Sequence, residues 1–342
     1  MVIVQWPGNQ GQVTLARFLY IDRLPVDEKS LIARVRSRAA RTRAVVAGIG
    51  DDCAILQLPA GHEALVTTDF SLEGVHFRRE WHRAEEVGWR CLTRGLSDIA
   101  AMGGTPLAAF LSLALPRTVR QAWVDRFLKG LLNLARKFNV SLAGGDTAES
   151  REGILADIVV LGSAPKGAAI RRSGARPGDR IYVTGSLGGA AATLKLLFSR
   201  RKLQHRDYLQ HFHPLPRVEV GKWLREQKLA SAMIDISDGL STDLSHICQE
   251  SGVGAEILAD AIPLSKIGRL GKPVDLASAL HGGDDYELLF TAPRAKRIPA
   301  TIAGVPVSEI GLIRRGRNIL LVDEANRRST LKPAGWQHFA RS

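Results

Sequence analysis

Apolar residues recur along the chain at two periods, and the change of period marks out alternating helices and strands. Trp123, Phe127, Leu131, Leu134 and Phe138 step by four, four, three and four, the spacing of one buried helical face. Leu92, Leu96 and Ile99 form a second stripe and predict a helix over residues 84–102, with Asp98 in its last turns. A short basic helix is expected from Ser30 to Ala40, an alanine-rich one after Gly189, and another from Leu240 to Glu250. Between them lie apolar runs of strand length: Leu107 to Leu115, Val140 to Ala143, Ile154 to Leu161, Ile181 to Val183, Ala232 to Ile236 and Leu288 to Thr291. This alternation predicts an α/β chain. Lys, Arg, Gly and Pro crowd the stretch from Pro165 to Pro177, which divides a domain over 29–165 from one over 166–342. Residues 1–28 show little periodicity and read as an N-terminal extension. Ser97-Asp98 recurs as Ser237-Asp238 and Gly144-Gly145-Asp146 as Gly282-Gly283-Asp284, at offsets of 140 and 138, so two related halves with a site between them are expected.

Carboxylates stand where the apolar runs end. Gly48-Ile49-Gly50 opens onto Asp51 and Asp52, and the run Ala64 to Val66 leads into Thr67-Thr68-Asp69. Asp98, Asp146, Asp235 and Asp238 follow the same rule. Singly, each reads as a turn or helix cap. As a set brought together they would resist ionisation unless cations lay among them. Carboxylate and hydroxyl oxygens without Cys or His suit Mg2+, which arrives bridged to phosphate oxygens. No Ser-His-Asp or Cys-His constellation stands out, and transfer of a phosphoryl group to an ionised acceptor needs no general base. Thr184-Gly185-Ser186-Leu187-Gly188-Gly189 leads into a helix and reads equally as a phosphate cradle or as close strand-helix packing. Neither GxxxxGK[ST] nor GxGxxG occurs.

Charge narrows the partners. The formal net charge is +13, with fourteen Lys and Arg against four Asp and Glu over 166–230, but three against ten over 231–290. A basic surface around an acidic site draws in polyphosphates. The arginines are spread out with few aromatics between them, a solvated surface rather than a nucleic-acid groove. No apolar run approaches the roughly 20 residues of a membrane span and no secretory leader is evident, so no membrane partner and a cytoplasmic location are expected. Cys53, Cys91 and Cys248, an odd count without CxxC spacing, are expected to be buried reduced thiols.

Several strings together resemble the thiamine-monophosphate kinases. They are Gly48 to Ala54, Thr67-Thr68-Asp69 with Glu73 to Phe77, Leu96 to Gly103, Gly144 to Thr147, Arg172 to Ala175 with Pro177-Gly178-Asp179, Ile234 to Leu240, and Gly283 to Leu288. The resemblance runs in order from about residue 29 to the end. It implies the two-domain α/β (α+β) fold of aminoimidazole ribonucleotide synthetase, with a homodimer formed through the N-terminal domain and ATP near the dimer interface. It implies transfer from ATP to thiamine monophosphate, giving ADP and thiamine diphosphate directly, with several Mg2+ ions. By the same resemblance Asp52, Thr67, Thr68, Asp69, Asp98, Asp146, Asp235 and Asp238 hold metal. Gly145, Asp146, Arg172 and Ser237 touch ATP, and His76, Asp284 and Trp336 contact thiamine monophosphate. Asp284 departs from the Glu found in many members and is one methylene shorter. The alternatives are aminoimidazole ribonucleotide synthetase, which phosphorylates an amide oxygen, and a noncatalytic nucleotide-binding regulator.

Overall fold

A computed structural model describes residues 28–40 and 42–336. The expected extension over 1–28 lies outside them but for the backbone of Glu28. The first half runs α1 (Glu28–Arg38), β1 (Val45–Ala47), β2 (Ile55–Leu56), β3 (His62–Leu72), α2 (Ala84–Ala101), β4 (Thr105–Leu115), α3 (Gln121–Lys137), β5 (Ser141–Glu149) and β6 (Leu155–Pro165). The second half begins with β7 (Arg180–Thr184), α4 (Gly189–Phe198), α5 (Leu209–Phe212), α6 (Val218–Glu226), β8 (Ala232–Ile236), α7 (Leu240–Ser251) and β9 (Gly254–Leu258). It continues through the short β10 (Lys266–Ile267) and β11 (Lys272–Pro273), then α8 (Leu276–His281), β12 (Glu287–Ala292), β13 (Thr301–Ile302), β14 (Val305–Arg314), β15 (Ile319–Val322) and β16 (Arg328–Thr330).

Two sheets carry the architecture. The first is four-stranded in the order β3-β6-β4-β5, antiparallel except for the parallel β4-β5 pair. The second is eight-stranded, β16-β15-β9-β14-β7-β12-β8, with β13 on β14. Helix α2 lies between them. Fourteen of its eighteen residues are buried, so it has no solvent face, unlike an ordinary amphipathic helix. It packs against β3 and β6 on one side, α3 along its length, and α6, β8 and β12 of the second half. One apolar core therefore crosses the boundary expected near residues 165–177, joining Leu92, Leu96 and Phe127 to Val220, Met233, Leu288 and Phe290. A second cluster, with Ile234, Ile236, Leu244, Ile247 and Leu289, fills the other face of the second sheet, so β8 and β12 are buried throughout.

The predicted helices and strands are all present, but most of the strands are longer than their apolar runs. β3 continues to Leu72, so Thr67, Thr68 and Asp69 lie inside it, paired with Val160, Val159 and Ile158. Gly144, Gly145 and Asp146 likewise lie inside β5. Ladder hydrogen bonds from neighbouring strands hold these polar residues extended. The repeated dipeptides do not mark a structural repeat. Ser97-Asp98 is within a helix and Ser237-Asp238 between a strand and a helix; one Gly-Gly-Asp is in a strand and the other in a loop. Cys91 and Cys248 are buried free thiols as expected, whereas Cys53 is exposed.

The α2-α3 contact is a backbone-to-backbone approach. A Cβ added at Gly88 would sit 1.9 Å from the Phe127 carbonyl oxygen, and one at Gly130 1.8 Å from that of Glu85. Gly130→Val forces the helices apart and is expected to destabilise the protein by about 1–3 kcal/mol. Chemical denaturation measures this, and an unshifted midpoint would contradict the packing.

Candidate active site

The site is built on polar residues that α2 presents to both halves. On the first-half side, β3 places Thr67 and Asp69 beside Asp98, and the Thr67 hydroxyl donates to the Asp98 carboxylate. On the second-half side, β8 carries Asp235, only 3% exposed, whose carboxylate accepts from the Ser97 hydroxyl at 2.7 Å. Three carboxyl groups from three elements thus meet around one turn of α2. Burial, then the Asp98 charge, pushes both Asp69 and Asp235 up to about 7. Asp98 itself is raised, chiefly by burial, although Thr67 and the charge of Arg172 act against it. Thr68 donates to Asp157, at 2.8 Å, a strand carboxylate that the motifs did not single out.

A cavity of about 660 Å3 opens beside this cluster. Thr68, Asp69, His76, Ser237, Asp238, Asp284 and Trp336, all expected from the sequence, line it. Arg94, His211 and the apolar Phe70, Val75 and Leu194 also line it. His76 Nδ1 accepts from the Leu72 amide at 3.0 Å, which puts the proton of its neutral ring on Nε2. Trp336 is 54% exposed and anchored by its own amide, which donates to the Asp238 carbonyl at 3.1 Å. Asp284 stands at a left-handed turn with φ 67° and accepts from Arg90 at 2.9 Å, Arg94 at 3.3 Å and Tyr286 at 2.5 Å. Although burial opposes it, the two guanidinium groups hold its carboxyl well below the usual carboxylate range. The spacing of Arg90, Arg94 and Asp98 by four in a predicted helix was the available signal for these arginines.

Asp52, Gly145 and Asp146 lie elsewhere. They line a second cavity of about 720 Å3, with Leu31 and Val35 of α1, the 48–54 turn and the edge strand β5. Asp69 pairs with Ile158, Ile158 with Leu111, and Leu111 with Gly145, so the two groups occupy opposite edges of one sheet. Three strand spacings separate them, about 14 Å.

Two carboxylates prove structural. Asp285 accepts from the Gly188 and Ala190 amides at 2.7 and 3.4 Å, so the 184–189 loop spends its helix-start amides on the protein's own acid. Asp243 accepts from the Asp238 and Gly239 amides at 3.2 and 3.0 Å, and the N-cap of α7 is Gly239 rather than Asp238. Burial, with neighbouring carboxylates, pushes each up to about 8. Among the described residues, Asp238, Asp243 and His246 form the one set of three such groups whose ligand atoms all lie within 4.8 Å of one another. The Asp69, Asp98 and Asp235 set is more open.

Residues 50–164 match AIR synthase related protein, N-terminal domain, and residues 176–332 its C-terminal domain. The chain is similar to thiamine-monophosphate kinase of Salmonella typhimurium, 39% identical over 92% of this chain and 98% of that one. It is similar to that of Bacillus subtilis at 34% identity, over 92% and 100%. Its fold matches the crystal structure of thiamine-monophosphate kinase from Stenotrophomonas maltophilia K279a with a TM-score of 0.76 and 37% identity, over 87% of this chain and 97% of that one. It also matches AaThiL complexed with AMPPCP and TMP, with a TM-score of 0.72 and 33% identity, over 91% and 95%.

The raised carboxyls set a pH dependence. Asp69 and Asp235 titrate near 7 folded but near 3.8 in an unfolded chain, so their protons favour the folded state at acid pH. That contribution is complete below 3.8 and lost as pH rises through about 7. In protein treated with EDTA, Asp235→Asn is therefore expected to gain melting temperature over the parent chain as pH rises from roughly 5 to 8. A difference that stays flat with pH would sink the assignment.

Proposed function

The chain belongs to the thiamine-monophosphate kinase family, and on that premise we propose that it transfers the terminal phosphoryl group of ATP to thiamine monophosphate, giving thiamine diphosphate and ADP. The observation that carries this reading is the meeting of Asp69, Asp98 and Asp235 beside a cavity walled by Trp336, His76 and apolar side chains. Their donor set fits Mg2+: oxygen only, and close enough that the charge of Asp98 raises both Asp69 and Asp235. Asp52, Thr67, Thr68, Asp69, Asp98, Asp146, Asp235 and Asp238 would hold several such ions. Mg2+ held there supplies neutralisation of charge on the transferring group. Arg172, whose charge bears on Asp98 and Asp235, would sit against ATP phosphates, with Gly145 and Ser237. His76 and Trp336 would hold the thiamine end, the indole by stacking on a ring. Attack by an ionised phosphate oxygen leaves these residues only to position and to balance charge.

The same premise accounts for the two cavities. One face of the first sheet is covered by helices; the other exposes Val66 at 64% and Phe70 at 53%, beside half-buried Phe110, Val159 and Leu161. We assign this apolar face to an isologous homodimer. A two-fold axis along the strands would lay the Asp52 and Asp146 edge of one copy over the Asp69 edge of its partner, so that each site draws on both. Among the described residues no helix is long and apolar enough to cross a membrane. We place the enzyme in the cytoplasm, with no nucleic-acid partner.

Purified protein with Mg2+, ATP and thiamine monophosphate is expected to form thiamine diphosphate, and EDTA or Asp98→Asn to reduce the rate at least about a hundredfold. Absence of product from the parent chain would refute the assignment. For the dimer, Phe70→Arg is expected to yield monomers in light scattering and to lose activity. Mixing inactive Asp146→Asn and Asp235→Asn chains under subunit exchange is expected to restore part of it. A fully active Phe70→Arg monomer would overturn the shared site.

A further inference from the structure

Arg94 is the cation that the pocket does not account for. Its side chain is 13% exposed and lines the cavity between Asp69 and Asp284, yet its Nε, buried, has no hydrogen-bond partner among the described residues. Asp284 has other and closer partners. Arg90, with a side chain only 4% exposed, reaches that carboxylate at 2.9 Å, and the Tyr286 hydroxyl reaches it at 2.5 Å. The Arg94 contact is single and longer, at 3.3 Å through one terminal nitrogen. Arg94 shares Asp284 with Arg90 and also feels the charges of Asp69 and Asp98, yet its buried Nε donor is left without an acceptor. Such a group is poised for an anion. A guanidinium fork matches phosphate oxygens in pairs, and a partly buried one is screened little by solvent.

Its place on the helix says which anion. Arg90, Arg94 and Asp98 follow at intervals of four residues, so successive members lie about 6 Å apart along one stripe of α2. Asp98 faces the carboxylate cluster with Asp69 and Asp235. Arg90 ties the far end to the loop carrying Asp284 and to the His211 carbonyl. Arg94, one turn of α2 from Asp98, lines the same cavity as His76 and Trp336. On the proposed reaction, that is where the phosphate of thiamine monophosphate must lie, reached by the donor from one side and joined to its organic part on the other.

Resting on that reaction, we propose that Arg94 binds the acceptor phosphate of thiamine monophosphate, and that Asp284 is the positioning residue that aims it. Asp284, with three protein partners, then acts on the substrate through Arg94. The shorter carboxylate at this position goes with a second arginine within its reach.

The test compares thiamine monophosphate with thiamine, the same molecule without its phosphate, in the parent protein, Arg94→Met and Arg94→Lys. Kinetics give KM and kcat, and competition gives the affinity for thiamine. For Arg94→Met, KM for thiamine monophosphate is expected to rise about tenfold or more, with KM for ATP within about twofold. Thiamine binding is expected to be unchanged, so the preference for the phosphorylated molecule collapses, a readout that a merely structural role would not move. Arg94→Lys, which keeps the charge without the fork, is expected to fall between, and it carries the test if the methionine variant does not fold. Parent-like preference in a folded variant overturns the proposal while leaving the kinase reading intact. A parent chain that makes no thiamine diphosphate overturns the kinase reading itself.

Discussion

The structure depends on a charged helix having no solvent face. Helix α2 carries Glu86, Arg90, Arg94, Ser97 and Asp98 into the interior, and each such group costs free energy unless it finds a partner there. Thr67 of β3 serves Asp98, and the other partners come from the second half. Glu86 meets His205 at 2.6 Å, Trp89 donates to the Pro214 carbonyl at 2.7 Å, Arg90 meets Asp284, and Ser97 meets Asp235. Neither half can bury its share of the helix without the other. The site is thus the polar seam of the same contact that joins the two sheets, and its geometry is set by the fold's own need to satisfy α2.

That dependence explains the close approaches around α2. Gly88 and Gly130 let α3 lie against it backbone to backbone, and Gly221 of α6 brings a would-be Cβ to 2.0 Å from the Ala100 carbonyl oxygen. A helix clamped on several sides cannot rotate or slide without breaking close-packed contacts. Rigidity of this kind suits a site whose work is placement of two anions rather than proton transfer.

Much of this was legible in the sequence, for definite reasons. The stripes Trp123 to Phe138 and Leu92 to Ile99 gave α3 and α2 nearly to the residue, because a buried helix face has a period that composition does not obscure. Strand ends are hidden where polar residues continue an extended ladder, as at Thr67 to Asp69, since hydropathy falls there while hydrogen bonding does not. Gly145 illustrates a second limit. With φ at 149° and Leu111 backbone within 1.8 Å of a would-be Cβ, it is required by strand pairing, whatever else it does. Which edge of the sheet carried which aspartate depended on the order β3-β6-β4-β5, and spacing along the chain holds no trace of that order. An arginine in a helix, such as Arg94, reads as part of a solvated face until burial is known.

The aspartates also show why composition could not separate ligand from scaffold. Burial raises Asp243 and Asp285 as it does Asp69 and Asp235. What differs is the company. Asp243 and Asp285 each accept from two backbone amides, permanent donors that fix a turn and a helix start. Asp235 accepts instead from the Ser97 hydroxyl, and Asp98 from the Thr67 hydroxyl and from Asp69, so their other close neighbours are carboxyls rather than amides. A fold that only needed stability would have placed amides or apolar groups there, because like charges in a buried site raise its free energy. Repulsion retained at the join of two domains, beside a cavity lined by an arginine whose buried Nε has no acceptor among the described residues, is the physical mark of a place shaped for something that arrives with charge of its own.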